Sequence, residues 1–212
     1  MAPIKFHPRV LSSKQLYLLQ CVGPVLSKQG WYLGGGTALA LMLGHRRSID
    51  LDWFHPAPEG DPRSWEYVLE RAGVKITTRS VGRGTLHVSA NGVRMSLFEY
   101  AYPLMRRKSR WLDMRCQLAS LDDIACMKLS AVTQRGARKD FVDIYALLKK
   151  HKPLGKLLTL YQRKFGAKDV GPVLYGLTYF ADAEREPMPR MVWAHTWRSM
   201  KAAIETAVRH QV

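Results

Sequence analysis

Cysteine is scarce in this sequence. Cys21, Cys116 and Cys126 are an odd number, at spacings that match neither a zinc ribbon nor a redox CxxC pair. They read as reduced, mostly buried small hydrophobes. No apolar run approaches the roughly 18–20 residues that cross a bilayer, and Met1 to Lys14 lacks the apolar stretch of a signal peptide. The expectation is a cytoplasmic protein without a membrane partner. Several catalytic signatures are missing as well: there is no GxxxxGK phosphate loop, no HExxH and no GxSxG elbow, and the seven histidines are scattered. Acidic charge is also in short supply. Against 33 Lys and Arg stand 17 Asp and Glu, a net charge of +16. That surplus attracts polyphosphates, nucleic acid or an acidic protein without choosing among them, and a generally basic proteome is the plain alternative.

What is present is an ordinary globular composition, 47% hydrophobic and 24% charged over 212 residues, enough to bury a core without disulfide or metal staples. Ser12 or Ser13 caps a first helix carrying Leu16, Leu19 and Val22, which Pro24 should kink before Gly30 closes it. A strand from Trp31 to Leu33 runs into Gly34, Gly35 and Gly36. Thr37 then caps a helical segment from Ala38 to Leu43 that Gly44 stops. A helix is expected from Pro62 to about Ala72. Strands follow at Val74–Ser80, Thr85–Ala90 and Val93–Tyr100, the last two joined by the hairpin signal Asn91-Gly92. From Leu121 the period turns helical, and the chain closes on a long helix carrying Trp193 and Trp197, which read as core residues. The join between a mixed α/β part and a helical part falls near 109–120, giving an expected core of residues 1–115 and a helical part of residues 116–212 packed on it.

The chemistry concentrates in one place. Ile49, Asp50, Leu51, Asp52 and Trp53 alternate apolar and acidic residues, so both carboxylates share one face of a strand. Residues two apart on a strand lie roughly 6.5–7 Å apart, close enough to share hard cations. Mg2+ suits such a site because it takes oxygen ligands and borrows several from substrate phosphates. Alternating acids also decorate ordinary solvent-facing strands. Here they follow a triple glycine and are flanked by His45, Arg46 and Arg47 in an otherwise basic chain. The glycines let backbone amides approach a phosphate, and the helix that follows presents its positive end.

Gly34-Gly35-Gly36-Thr37-Ala38-Leu39, then Leu43-Gly44-His45-Arg46 and Ser48-Ile49-Asp50-Leu51-Asp52-Trp53-Phe54, resembles the AbiEii/AbiGii toxin family of nucleotidyltransferases. A second block containing Lys128, Arg135-Gly136, Lys139-Asp140-Phe141 and Asp143 resembles the family's downstream motif, and Tyr179 to Glu184 resembles its tail. The resemblance implies a polymerase-β-like nucleotidyltransferase core, a mixed sheet with flanking helices, plus a C-terminal helical part. It implies Mg2+ and a nucleoside triphosphate as substrate, and in some members the modification of tRNA ends by a toxin opposed by an antitoxin. Carried over, Asp50 and Asp52 become the metal ligands, and Lys128 with Asp143 the downstream catalytic pair. Gly34, Gly35, Gly36, Thr37, Arg47 and Ser48 would lie by the phosphates.

From spacing alone, Lys128 and Arg135 are seven apart on a helix and point the same way, so they can hold a triphosphate. A solvated helix face is the alternative, as is a surface pair between Lys139 and Asp143. One departure stands out. Similar proteins often carry a third carboxylate on a later strand, where this chain has Ser96. A hydroxyl binds Mg2+ weakly and is no base near neutral pH. The expected function is therefore transfer of a nucleoside monophosphate to a hydroxyl, with RNA the expected acceptor because the basic surface suits it. The alternative is a nucleotide- or RNA-binding protein of the same fold with impaired turnover.

Overall fold

A computed structural model describes residues 5–211; the first four residues of the Met1 to Lys14 stretch lie outside them. The elements run α1 (Ser13–Lys28), β1 (Tyr32–Leu33), α2 (Gly35–Leu43), β2 (Leu51–His55), α3 (Trp65–Glu70), β3 (Ile76–Gly82), β4 (Thr85–Ala90), β5 (Val93–Glu99), β6 (Ser109–Trp111) and β7 (Cys116–Leu118). Helices α4 (Leu121–Gln134), α5 (Arg138–Lys150), α6 (Leu154–Phe165), α7 (Gly171–Thr178) and α8 (Trp197–Arg209) complete the chain. The fold is a mixed sheet with flanking helices, as the residue pattern anticipates. Among the described residues no helix is long and apolar enough to cross a membrane.

The seven-stranded sheet has the order β3-β4-β5-β2-β1-β7-β6. Strand β2 lies antiparallel to β1 and parallel to β5, so the acidic strand occupies the middle of the sheet. Its apolar residues Leu51 and Trp53 are fully buried on one face. Period-two alternation thus sends Asp52 to the other face. Asn91 and Gly92 take φ values of 48° and 77°, and Ala90 pairs with Val93 across them. Two left-handed residues match the twist of the strands they join, and this fixes the register of β4 against β5.

As expected, Ser12 caps α1, through a reciprocal capping box with Gln15, and the helix carries Pro24 inside it and runs to Lys28, just ahead of Gly30. Two local expectations are corrected. The helix expected from Pro62 does not start there: the Asp61 carboxylate accepts from the amides of Arg63 and Ser64 in a turn, and α3 begins only at Trp65. The segment before α4, expected to be a join, forms the β6–β7 hairpin, and β7 pairs in parallel with β1. Residues 115 and 116 lie within that hairpin, so the sheet extends to Leu118. The strands are three residues each, and their turn holds Arg115 at φ 46°, a left-handed position without the usual glycine or asparagine signal.

The second half packs on α2, whose neighbours are α4 and α5 as well as β2. Phe141 and Ile144 of α5, Leu39 and Leu41 of α2, and Trp53 of β2 are all fully buried in one continuous core. The helix that follows the glycine turn is therefore gripped from both sides. Cys116 and Cys126 are buried, and burial pushes their thiols up to about 12, so they stay protonated.

Candidate active site

The glycine turn is built by its contacts. Gly34 ends β1 by donating its amide to the Asp52 carbonyl at 2.8 Å and serves as the N-cap of α2. Gly35 sits at φ +60°, and a Cβ there would lie 2.9 Å from Asp52 Oδ2. A Cβ on Gly36 would run into the Arg46 guanidinium. Only glycine admits a carboxylate on one side and a guanidinium on the other. Because the helix starts at Gly35, Thr37 is not its cap. Thr37 is buried within the first turn, and its hydroxyl bonds the Ser48 hydroxyl at 2.6 Å and the Asp50 carbonyl. Gln15 of α1 donates to the Ser48 carbonyl at 3.1 Å. These bonds pin the backbone that leads into β2, and the side chains of Thr37 and Ser48 are spent on that task.

Asp52 lies in β2 and Asp50 just ahead of it. Both line a cleft of about 1070 Å³, with Gly35, Gly36, Arg47 and Ser48 along the same wall. The Asp52 carboxylate has no hydrogen-bond or ion-pair partner among the described residues. Burial, then the charge of Asp50, raises its carboxyl above the ordinary range, while Lys128, Lys139 and Arg135 oppose the shift. Arg94 Nε stands 2.8 Å from Asp50 Oδ1, yet that buried oxygen lacks a properly directed hydrogen bond. Two like-charged carboxylates with unused oxygens fit a divalent cation. No group of three or more His, Cys, Asp or Glu residues is arranged for a metal among the described residues. A cation here would therefore complete its shell with phosphate oxygens and water.

Strands β3 to β5 bring Arg79, His87, Arg94 and Ser96 to the cleft, helices α4 and α5 bring Lys128, Arg135 and Lys139, and a late segment brings Met188 to Arg190. A smaller hollow of about 290 Å³ beside Pro24, Arg110 and Trp111 contains no carboxylate.

Asp140 and Asp143 form a different kind of acidic cluster. Both are fully buried. Asp143 receives His45 Nε2 at 2.8 Å, Arg46 Nε at 2.7 Å and Lys128 Nζ at 2.6 Å. Asp140 receives Lys128 Nζ and Arg135 Nε, each at 2.8 Å. Burial opposes the charge on Asp143, but Arg46, Lys128 and His45 outweigh it and hold the carboxyl well below the usual range. Burial likewise pushes His45 down, so the neutral ring donates from Nε2 and leaves Nδ1 without a partner. Asp143 accordingly does not line the cleft, and its partners are not Lys139. Lys128 and Arg135 do point the same way, and what they share is Asp140.

The late segment crosses this region as an extended strap. Arg47 donates its amide to the Arg190 carbonyl at 2.8 Å, and Val192 donates to the His45 carbonyl at 2.9 Å. Trp193 is outside α8, which begins at Trp197, and its ring stands edge-on to His45 at 5.8 Å.

With this geometry in hand, comparison with known proteins becomes decisive. The family described as "Nucleotidyl transferase AbiEii toxin, Type IV TA system" matches residues 17–103 and 92–210. The chain belongs to the AbiEii nucleotidyltransferase family. An uncharacterised protein of Aquifex aeolicus (strain VF5) is 34% identical over 180 residues, 84% of this chain and 87% of that protein. The fold is shared with JHP933 of Helicobacter pylori at a TM-score of 0.58 and 16% identity, covering 94% of this chain and 92% of that one. It is shared also with MenT4, a nucleotidyltransferase toxin of Mycobacterium tuberculosis H37Rv, at a TM-score of 0.56 and 14% identity, covering 91% and 81%.

In this AbiEii protein the sequence pattern reaches Gly35, Gly36, Asp50 and Asp52 of the cleft, also points to Gly34 and Thr37, which do not line it, and overlooks Arg94 and His87. Both were within reach of the alternation on their strands, since Arg94 shares parity with Ser96, and His87 faces Ser96 once the Asn91-Gly92 turn sets the register. Arg79 was not, because a register shift between Thr78 and Ser80 disturbs the parity of β3. Arg190 reaches the cleft only through the strap.

Proposed function

We propose that this nucleotidyltransferase moves a nucleoside monophosphate from a triphosphate to a hydroxyl of RNA, a tRNA end being the favoured acceptor, with Mg2+ held by Asp50 and Asp52. The observation that carries the reading is the unpaired Asp52 beside Asp50 in a cleft whose other charged groups are cations. Divalent cations in such a site activate the attacking oxygen and neutralise charge building on the phosphates.

The chain's own residues divide the remaining work. The first amides of α2, from Gly35, Gly36 and Thr37, have no carbonyl a turn earlier to bond and point out of the helix N-terminus, where they receive phosphate oxygens. Arg47 and Lys139, both exposed, supply positive charge along the cleft. Lys128 and Arg135 lend charge from fixed positions, already held by Asp140. Asp143 positions: it holds Arg46 under Gly36 and Lys128 at the cleft wall. The net charge of +16 suits a polyanionic acceptor. Membership of a Type IV toxin–antitoxin family supports a toxin with an antitoxin partner, and the cytoplasm is the compartment in which this reading has it act.

Ser96 favours a second reading, a protein that binds nucleotide and RNA without turnover, because a hydroxyl stands directly across from Asp52. One experiment separates the two. The protein is incubated with each labelled triphosphate, Mg2+ and total RNA. Transfer by the wild type and none by Asp50→Ala is the expected result. Mg2+-dependent nucleotide binding with no transfer of any of the four nucleotides would establish the second reading instead.

A further inference from the structure

The place of the absent carboxylate is not empty of chemistry. Asp52 pairs with Ser96 across β2 and β5, and Ser96 pairs with His87 across β5 and β4. Residues at paired positions on neighbouring strands point to the same face. The three side chains therefore form one row, and all three line the cleft. Strands are about 4.8 Å apart, which puts Ser96 one step and His87 two steps, about 10 Å, from Asp52. His87 Nδ1 and Ser96 Oγ are 2.9 Å apart. Phe98 stands edge-on to the imidazole with ring centres 5.6 Å apart and an interplanar angle of 79°. The ring is thus held in place on two sides while remaining partly open to solvent.

We propose that Ser96 and His87 form the proton exit for the attacking hydroxyl, taking over the role of the missing carboxylate. The inference rests on the transferase reading above. As the acceptor oxygen bonds to the α-phosphorus, its proton passes to Ser96 Oγ, and the proton already on Ser96 passes to His87 Nδ1. The bond between the α-phosphorus and the bridging oxygen breaks, and pyrophosphate leaves with the electron pair. His87 ends the step as an imidazolium and, by losing one proton to water, returns to the neutral tautomer that carries its proton on Nε2 and leaves Nδ1 free to accept again. Ser96 touches the reacting hydroxyl; His87 works through it. Imidazole suits the task because it is the side chain that exchanges a proton near neutral pH. The charged groups that line the cleft with it are Arg79 on β3, Arg94 on β5, Asp52 on β2 with Asp50 just ahead of it, and the lysines and arginines of the helical wall and the strap.

The test is single-turnover transfer from labelled triphosphate to total RNA by the full-length protein across pH 5.5–9, with binding of a non-hydrolysable triphosphate analogue measured in parallel. In the wild type the rate should climb with pH along an acid limb of unit slope and then level off. His87→Gln should slow transfer by about 10²- to 10⁴-fold, abolish that limb and leave analogue binding intact. Ser96→Asp should restore transfer in the His87→Gln background. A wild-type rate and profile in His87→Gln would overturn the relay, as would slow transfer along an unchanged profile. If Ser96→Asp transfers label and the wild type does not, the relay fails while the transferase reading survives. If neither transfers label, the reading beneath it fails.

Discussion

The chain uses aspartate pairs in two places, and their surroundings differ in kind. Asp140 and Asp143 are sealed in the interior, with each carboxylate met by at least two cationic groups at 2.6–2.8 Å. Asp50 and Asp52 face open space. One is approached obliquely by Arg94 and the other by no partner among the described residues. A buried charge left alone is far more costly than one matched by cations and hydrogen bonds, so the first pair is finished as it stands and the second awaits positive charge. The difference separates acids that hold the fold together from acids placed to hold a ligand.

The two pairs should respond to mutation in opposite ways. Asp143→Ala strands Arg46, Lys128 and His45 without their shared carboxylate, and breaking a buried pair of this kind costs roughly 3–5 kcal/mol. For a chain of this size that corresponds to a fall in Tm of about 10 °C, readable by calorimetry. Activity should fall with it, because Arg46 lies against Gly36. Finding Tm unchanged would mean that the network is not structural.

Asp52→Asn should have a smaller effect of the other sign. The Asp52 carboxyl is raised in the fold by burial and by Asp50, so in the window above the ordinary carboxylate range the native state binds more protons than the unfolded chain. Stability contributed by this group is then lost as pH rises through that window. Removing the charge should raise Tm slightly at pH 7 and leave it unchanged at pH 3. Asp143, held low, runs the other way: its contribution is present above the ordinary range and lost as acid titrates the depressed carboxyl. Thermal scans of wild type and Asp52→Asn at both pH values check this, and a lower Tm for Asp52→Asn at pH 7 would contradict it.

The open pair was legible in the residue pattern, whereas Asp143 and its partner Lys128 were reached only through the family resemblance, for a physical reason. Alternation along one strand is a local property, and residues 50 and 52 carry it themselves. The glycine turn and the Asn91-Gly92 hairpin are local too, and they placed β1, α2, β4 and β5. Asp143 meets His45 and Arg46 across 98 and 97 residues of chain, a juxtaposition that spacing cannot reveal. The nearest local explanation, a helical pair with Lys139, was therefore the wrong one. Length decided the remaining misses. The strands β6 and β7 are too short to show a period, and a capping threonine at position 37 cannot be told from one that begins two residues inside its helix when glycines precede it.

The account depends most on the open pair receiving a cation together with phosphate. Calorimetric titration of a non-hydrolysable triphosphate analogue, with Mg2+ and after chelation, into wild type and Asp52→Ala tests this directly. Binding should require Mg2+ in the wild type and lose its response to Mg2+ in Asp52→Ala. Equal, Mg2+-dependent affinity in both proteins would contradict the account.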